Sequence, residues 1–251
     1  MNPHLVALMR QPSPDIASGL ANFHRPAEFQ RTPELETMTG QVAAIARILQ
    51  NNGVTVTYRY DGRNFSDGTF TFDHAAVFPV ADQLYAFMPA ANWPRHEELE
   101  LDLPWIERFA LLKWLPDHFD AVECRFDPGT VVQAPNGILI GFSRHEDART
   151  NYAGASCLKF ELERLGYNGK IVLVEYSGLH LSTFCTCIST LSLPAPVFLA
   201  NAAQVDIEAV RQLGEVIEVK DAEAWRANAI AHPAMDTLIL MKSWLDRKSV
   251  V

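Results

Sequence analysis

Between residues 35 and 49 the apolar positions Leu35, Met38, Val42, Ile45 and Leu49 step by three or four. That spacing lays one stripe along a helix. Thr32 stands where a cap belongs, Pro33 fits the first helical position, and Gly53 offers a stop. Val54 to Tyr60 then reads as a strand. The same order returns twice. A helix from near Thr150 to Gly166, with Ala153, Cys157, Phe160, Leu162 and Leu165 on one face, precedes a strand over Lys170 to Glu175. A helix over Val205 to Leu213 precedes one over Glu215 to Val219. Paired short strands come ahead of helices: Thr69 to Phe78 with Gln83 to Met88, and Gly129 to Gln133 with Gly137 to Phe142, joined at Pro135-Asn136-Gly137. Glu97 to Phe119, acidic and aromatic, is predicted helical on either side of Pro104. The pattern predicts an α/β chain that reuses a strand–strand–helix–strand unit.

Two stretches need separate treatment. Tyr176 to Val205 carries no charge, but His180, four serines, three threonines and two prolines make it too polar for a lipid-facing helix, so it reads as buried strands. After a strand over Met235 to Met241, the segment Lys242 to Val251 has no room for another full unit. With 48% apolar and 20% charged residues in 251, and no Ser/Gly/Pro linker, the chain is expected to form a single domain over 1–251. A net charge of −9 disfavours nucleic acid and anionic membranes as partners and leaves small molecules and proteins. Four cysteines, at 124, 157, 185 and 187, are too sparse for a disulfide framework, and the start of the chain lacks a basic region and a long apolar run. Reduced thiols in a cytoplasmic protein are the expectation.

Asp67 and Asp73 flank a stretch of alternating residues, and their even separation puts both carboxylates on one face of an ideal strand. A turn acid before Gly68 and a strand-end acid explain the same pattern equally well. Asp127, in Phe126-Asp127-Pro128-Gly129, is placed to order a turn. Carboxylates gathered in a pocket would favour a planar cation. Arg95 and Arg149 are candidate anion clamps against a background in which most arginines are solvated, and Arg149 sits at a predicted helix start. His180, alone in the uncharged run, is either a proton-transfer group or a satisfied core histidine. Cys185-Thr186-Cys187 is a weak zinc signal, since no second ligand pair has matching spacing and His180 would face away on a continuous strand. Neither a phosphate-cradling loop nor a Gly-x-Ser-x-Gly elbow is present.

Taken in order, several motifs resemble the dimethylarginine dimethylaminohydrolase branch of the pentein (amidinotransferase and arginine deiminase) superfamily. They are Arg10-Gln11-Pro12-Ser13-Pro14 with Gly19-Leu20, Ser66-Asp67-Gly68-Thr69-Phe70-Thr71-Phe72-Asp73, Arg95-His96-Glu97-Glu98, Phe126-Asp127-Pro128-Gly129, Ala148-Arg149-Thr150-Asn151 and Leu179-His180-Leu181. The resemblance implies a propeller of ββαβ modules around a central pocket, with the last module cut short after about residue 241. It implies that Asp73 and Asp127 hold a substrate guanidinium and that His180 is the general acid/base. Arg95 and Arg149 would take the α-carboxylate, with Asp67 and the backbone of Leu20 near the α-amino group. It implies no metal and no cofactor. The family reaction is thiolate attack on the guanidinium carbon, loss of an amine protonated by the histidine, and hydrolysis of the thiouronium to citrulline.

The chain departs from the family at several points, among them extra residues at Arg144 to Asp147 in the loop before Arg149 and a single Arg95 where the family has an Arg-Arg pair. It has Phe72 where an acid is usual, Asp127-Pro128-Gly129-Thr130 where the family has Glu-x-Gly-Asp, and no cysteine after Cys187, although the family nucleophile lies in the final module. The expected function is a dimethylargininase-like hydrolase. The alternatives are a catalytically dead pentein that binds a ligand or a protein, and an amidinotransferase. Homo-oligomerisation is left open.

Overall fold

The structure, a computed structural model, describes residues 6–13, 35–59, 74–90, 96–146, 148–189, 195–220, 229–230 and 239–240. The chain divides into two units, Met1–His74 with Pro94–Trp105, and Ala75–Trp93 with Ile106–Val251.

In the first unit, β1 (Val6–Arg10) lies parallel to β2 (Thr55–Arg59), in register from Val6 against Thr55 to Arg10 against Arg59. Parallel neighbours need a crossover, which α1 (Leu35–Asn51) supplies. Its buried residues are Val42 and Leu49, both on the predicted stripe, with Ala46 beside them, whereas Leu35 at the start of the stripe is exposed. The helix gives way at Gly53, with φ +80°. Thr32 and Pro33 lie outside the described residues. The unit's other helix, α2 (His96–Ile106), holds Pro104 in its last turn. A helix on the far side of that proline does not form, because the ring removes an N–H and blocks the preceding turn. The chain turns instead and enters a strand.

In the second unit, β3 (Ala76–Val80) pairs antiparallel with β4 (Gln83–Phe87), and β4 pairs parallel with β5 (Leu111–Lys113). A short hairpin follows, β6 (His118–Phe119) with β7 (Val122–Glu123). Next, β8 (Val131–Ala134) is antiparallel to β9 (Gly137–Phe142), and β10 (Lys170–Glu175) is parallel to β9, with α3 (Tyr152–Arg164) as the crossover. A four-residue helix, α4 (Leu181–Phe184), leads to β11 (Cys185–Cys187), which is antiparallel to β12 (Val197–Asn201). Finally α5 (Ile207–Arg211) carries the chain to β13 (Glu215–Val219), parallel to β12. The strand–strand–helix–strand order therefore recurs three times among the described residues. The small sheets stay separate and none closes into a barrel. Near the end, β14 (Ala229–Ile230) and β15 (Ile239–Leu240) form an antiparallel pair, the latter inside the strand expected over Met235 to Met241.

Strand β9 is buried on both faces, and its alternation divides the interior of this unit. Ile138, Ile140 and Phe142 join Phe78, Phe87, Phe126, Leu158 and Leu162 in one core. Leu139 joins Leu181, Cys185, Phe198 and Val210 in another. No helix among the described residues is long and apolar enough to cross a membrane.

Candidate functional site

The register of one sheet gathers the candidate residues. Because β8 runs against β9 and β10 runs with it, the start of β8 and the ends of β9 and β10 share one edge. Asp127 stands just before β8, Arg149 in the loop after β9, and His180 in the loop after β10. The carboxyl ends of parallel strands are where open α/β sheets collect ligand chemistry.

Asp127 is fully buried and is fixed by its own turn. Its Oδ1 accepts from Gly129 N at 2.9 Å, and it caps the 3-10 turn Pro128–Thr130. Its backbone N–H donates to Thr150 Oγ1 at 2.8 Å, and its carbonyl accepts from Thr130 Oγ1 at 2.7 Å. The Asp-Pro-Gly segment thus orders a turn, as its composition predicts, but with one oxygen only. The other oxygen faces Arg149 and His180.

Arg149 reaches that second oxygen. Its Nη1 lies 3.2 Å from Asp127 Oδ2. The backbone on its helix side is secured twice: Ser143 N donates to Thr150 O at 3.0 Å, and Asn151 caps α3 by accepting from Gly154 N at 2.8 Å. Asn151 also ties the helix start to the segment that leads from β7 into Asp127, accepting from Arg125 N at 3.1 Å and donating to Glu123 O at 2.7 Å. This close approach needs Gly154, since a Cβ there would sit 2.0 Å from the Arg125 carbonyl oxygen.

His180 enters from the other face of β9. It precedes α4 with extended backbone angles, and Leu181 packs into the core behind it. A Cβ on Gly141 would meet the Leu181 Cβ at 2.7 Å, so the bare backbone of β9 lets α4 settle against it. The His180 Nε2 lies 3.1 Å from Arg149 Nη1 and 3.5 Å from Asp127 Oδ2. Nearby, burial pushes the Tyr176 hydroxyl pKa up, the Asp127 charge raises it further, and the Arg149 charge opposes both. The phenol stays protonated and donates to Leu179 O at 3.2 Å, behind the histidine.

The structure therefore brings Asp127, Arg149 and His180 together. Leu20, Asp67, Asp73 and Arg95 lie outside the described residues. All four cysteines are buried. Cys185 and Cys187 sit in β11 opposite Ala200 and Phe198, separated from His180 by α4 instead of continuing its strand. Burial pushes the Cys185 thiol up, which suits a protonated core residue. Cys124 and Cys157 hydrogen-bond each other, and burial together with the neighbouring sulfur pushes Cys157 up to about 12. Among the described residues no group of His, Cys, Asp and Glu side chains is arranged to hold a metal ion. A cavity of about 430 Å³ opens at the opposite edge of the same sheet, lined by Val80, Gln133, Asn136 and Tyr167 among others. Its lining bears no charged side chain, so it is not the site.

Sequence reasoning missed Thr130, Thr150 and Asn151 as the groups that hold Asp127 and Arg149 in place. It also missed a buried network in the first unit, where Asp102 pairs with Arg10 and His74.

No family model matches the chain. Over 233 residues it is 28% identical to the N(G),N(G)-dimethylarginine dimethylaminohydrolase of Pseudomonas aeruginosa, covering 92% of this chain and 81% of the relative. Its fold is similar to the structure of dimethylarginine dimethylaminohydrolase from that organism, a cysteine-to-serine mutant complexed with citrulline. The TM-score is 0.69 and the identity 22%, over 91% of this chain and 81% of the other. It is also similar to the product-bound N-terminal domain of an arginine dihydrolase from the cyanobacterial ornithine–ammonia cycle, with a TM-score of 0.65 and 14% identity over 91% of this chain and 80% of that domain. These matches define an α/β fold of the pentein class. Within that class its sequence is similar to dimethylarginine dimethylaminohydrolase, which supports the branch that its motifs resemble.

Proposed function

We propose that this chain is a dimethylargininase-like hydrolase that acts on the guanidinium group of arginine or N-methylated arginines, giving citrulline and an amine. The observation that carries the proposal is the approach of two buried groups of complementary chemistry, Asp127 and His180, to within 3.5 Å at the ligand-binding edge of the sheet. An anion beside a planar cation supplies recognition, and an imidazole beside the leaving amine supplies its proton. Asp73 completes the guanidinium seat. Arg95 and Arg149 take the substrate carboxylate, and Asp67 with the Leu20 backbone takes the amino group. The relative at 28% identity is named for dimethylarginine, which supports this substrate class. No step uses a metal, a cofactor or nucleic acid.

Citrulline release from L-arginine or its methylated forms, abolished by His180→Ala, is the expected result. A second reading is favoured by the burial of all four thiols, because the covalent route starts from a thiolate. On that reading the protein binds guanidino amino acids without turnover. Calorimetric binding of L-arginine with no citrulline formed would select it. Transfer of the amidino group to an acceptor amine would select an amidinotransferase.

A further inference from the structure

The residues assigned to the substrate already have an occupant. Asp127 commits Oδ1 to Gly129 N, which leaves Oδ2 as the oxygen that faces Arg149 and His180. Arg149 Nη1 stands 3.2 Å from that oxygen and 3.1 Å from His180 Nε2. A guanidinium has donors and no acceptor, so His180 takes the second bond with the lone pair of Nε2. One nitrogen of the chain's own guanidinium thus engages both the carboxylate and the imidazole that the proposed reaction uses.

We propose that Arg149 is a resident guanidinium which masks Asp127 and His180 until a ligand bearing its own carboxylate draws it away. The inference rests on the guanidinium-binding proposal above and adds to it a state of the site without ligand. A bare guanidinium ion entering at Asp127 replaces one guanidinium with another and strands Arg149, only 13% exposed, without an anion. An unpaired charge in so dry a place is costly. A ligand with a guanidinium at one end and a carboxylate at the other gives Asp127 and Arg149 each a new partner in one step. Since Thr150 and Asn151 hold the backbone on the helix side of Arg149, the exchange is a swing of its side chain. Arg144, His145 and Glu146, earlier in the same loop, are exposed and leave room for it.

The test compares L-arginine, agmatine (its analogue without the carboxylate) and methylguanidinium on the wild-type chain, Arg149→Ala and Arg149→Lys. Calorimetry is expected to give wild-type binding of L-arginine about a hundredfold tighter than agmatine, and a gap of about tenfold or less in Arg149→Ala, as arginine weakens and agmatine gains. Methylguanidinium is expected to raise the thermal midpoint of Arg149→Ala by filling the place of the deleted side chain, and to leave that of the wild type unchanged. Arg149→Lys keeps a cation beside Asp127, so it serves where the alanine variant does not fold, and its arginine-to-agmatine gap is expected to fall between the other two. Agmatine binding no tighter to the folded variants than to the wild type, with L-arginine still bound by the wild type, overturns the masking role and leaves the guanidinium proposal standing. No binding of any of the three compounds to any of the three proteins overturns that proposal, and the masking with it.

Discussion

Each unit buries an aspartate between an arginine and a histidine, and the two trios are built differently. In the first, Asp102 gives each oxygen its own partner: Arg10 Nη2 lies 2.9 Å from Oδ1 and His74 Nδ1 2.6 Å from Oδ2. The far ring nitrogen of His74 faces Glu98 at 3.7 Å. In the second, Asp127 gives one oxygen to backbone, and Arg149 and His180 share the other at 3.2 and 3.5 Å. Short contacts with one partner per atom describe a closed structural joint. Longer contacts that crowd onto one oxygen, at a sheet edge, describe a place where partners can be exchanged.

The largest expected effect separates the two directly. Asp102→Ala strands Arg10 and His74 in the interior and is expected to cost about 3–5 kcal/mol in urea unfolding. Asp127→Ala is expected to cost less, since its contacts to Arg149 and His180, at 3.2 and 3.5 Å, are longer than those of Asp102 and Arg149 is more exposed than Arg10, while removing L-arginine binding measured by calorimetry. Equal stability losses, or unchanged ligand binding in Asp127→Ala, would break the contrast.

A smaller effect tests the scaffold under the second trio alone. Gly154→Ala places a Cβ 2.0 Å from the Arg125 carbonyl oxygen, which must move, and with it the segment that carries Asp127. The expected loss is about 1–3 kcal/mol, with L-arginine binding weakened beyond what stability alone accounts for. Full-strength binding in a folded Gly154→Ala protein would show that the Arg125–Asn151 tie does not set the site.

The two trios also differ in how far the sequence revealed them. The helix–strand pairs around 35–60, 150–175 and 205–219 were readable because each helix is marked by a period of three and four or by turn residues. Helix α4 was not, because four residues carry no period. The two-residue and three-residue strands β5 to β7 were hidden for the same reason. Asp127 was legible as a turn residue from Asp-Pro-Gly, and Arg149 and His180 stood out by position. Their meeting was not legible, because it depends on the register of β8, β9 and β10, which no local pattern encodes. The first trio was missed although a signal existed. Glu98 and Asp102 are four apart in α2, beside Leu99 and Ile106 on its buried side, and acids on an apolar face demand partners. The sequence shows them only as part of an acidic and aromatic helical stretch.

Acid distinguishes Asp102 by a charge effect that is fully present at neutral pH and is lost only as the carboxylate takes up a proton. Burial alone would raise its carboxyl pKa, but the hydrogen bonds and charges of His74 and Arg10 more than offset that, holding it below the ordinary value of 3.8. A carboxyl whose folded pKa is depressed contributes stability that is fully present above the unfolded value and disappears as pH falls through the folded one. The groups that face it are Arg10 and His74, with Glu98 beyond the imidazole. Asp102→Asn removes the titration and keeps the shape. Urea unfolding of both proteins from about pH 6 to about pH 2.5 is expected to give a wild-type advantage that holds at the upper end and shrinks below about pH 4. An advantage that stays constant across the range would mean that the joint owes its strength to packing and not to the ionised carboxylate, and the distinction between the trios would then rest on geometry alone.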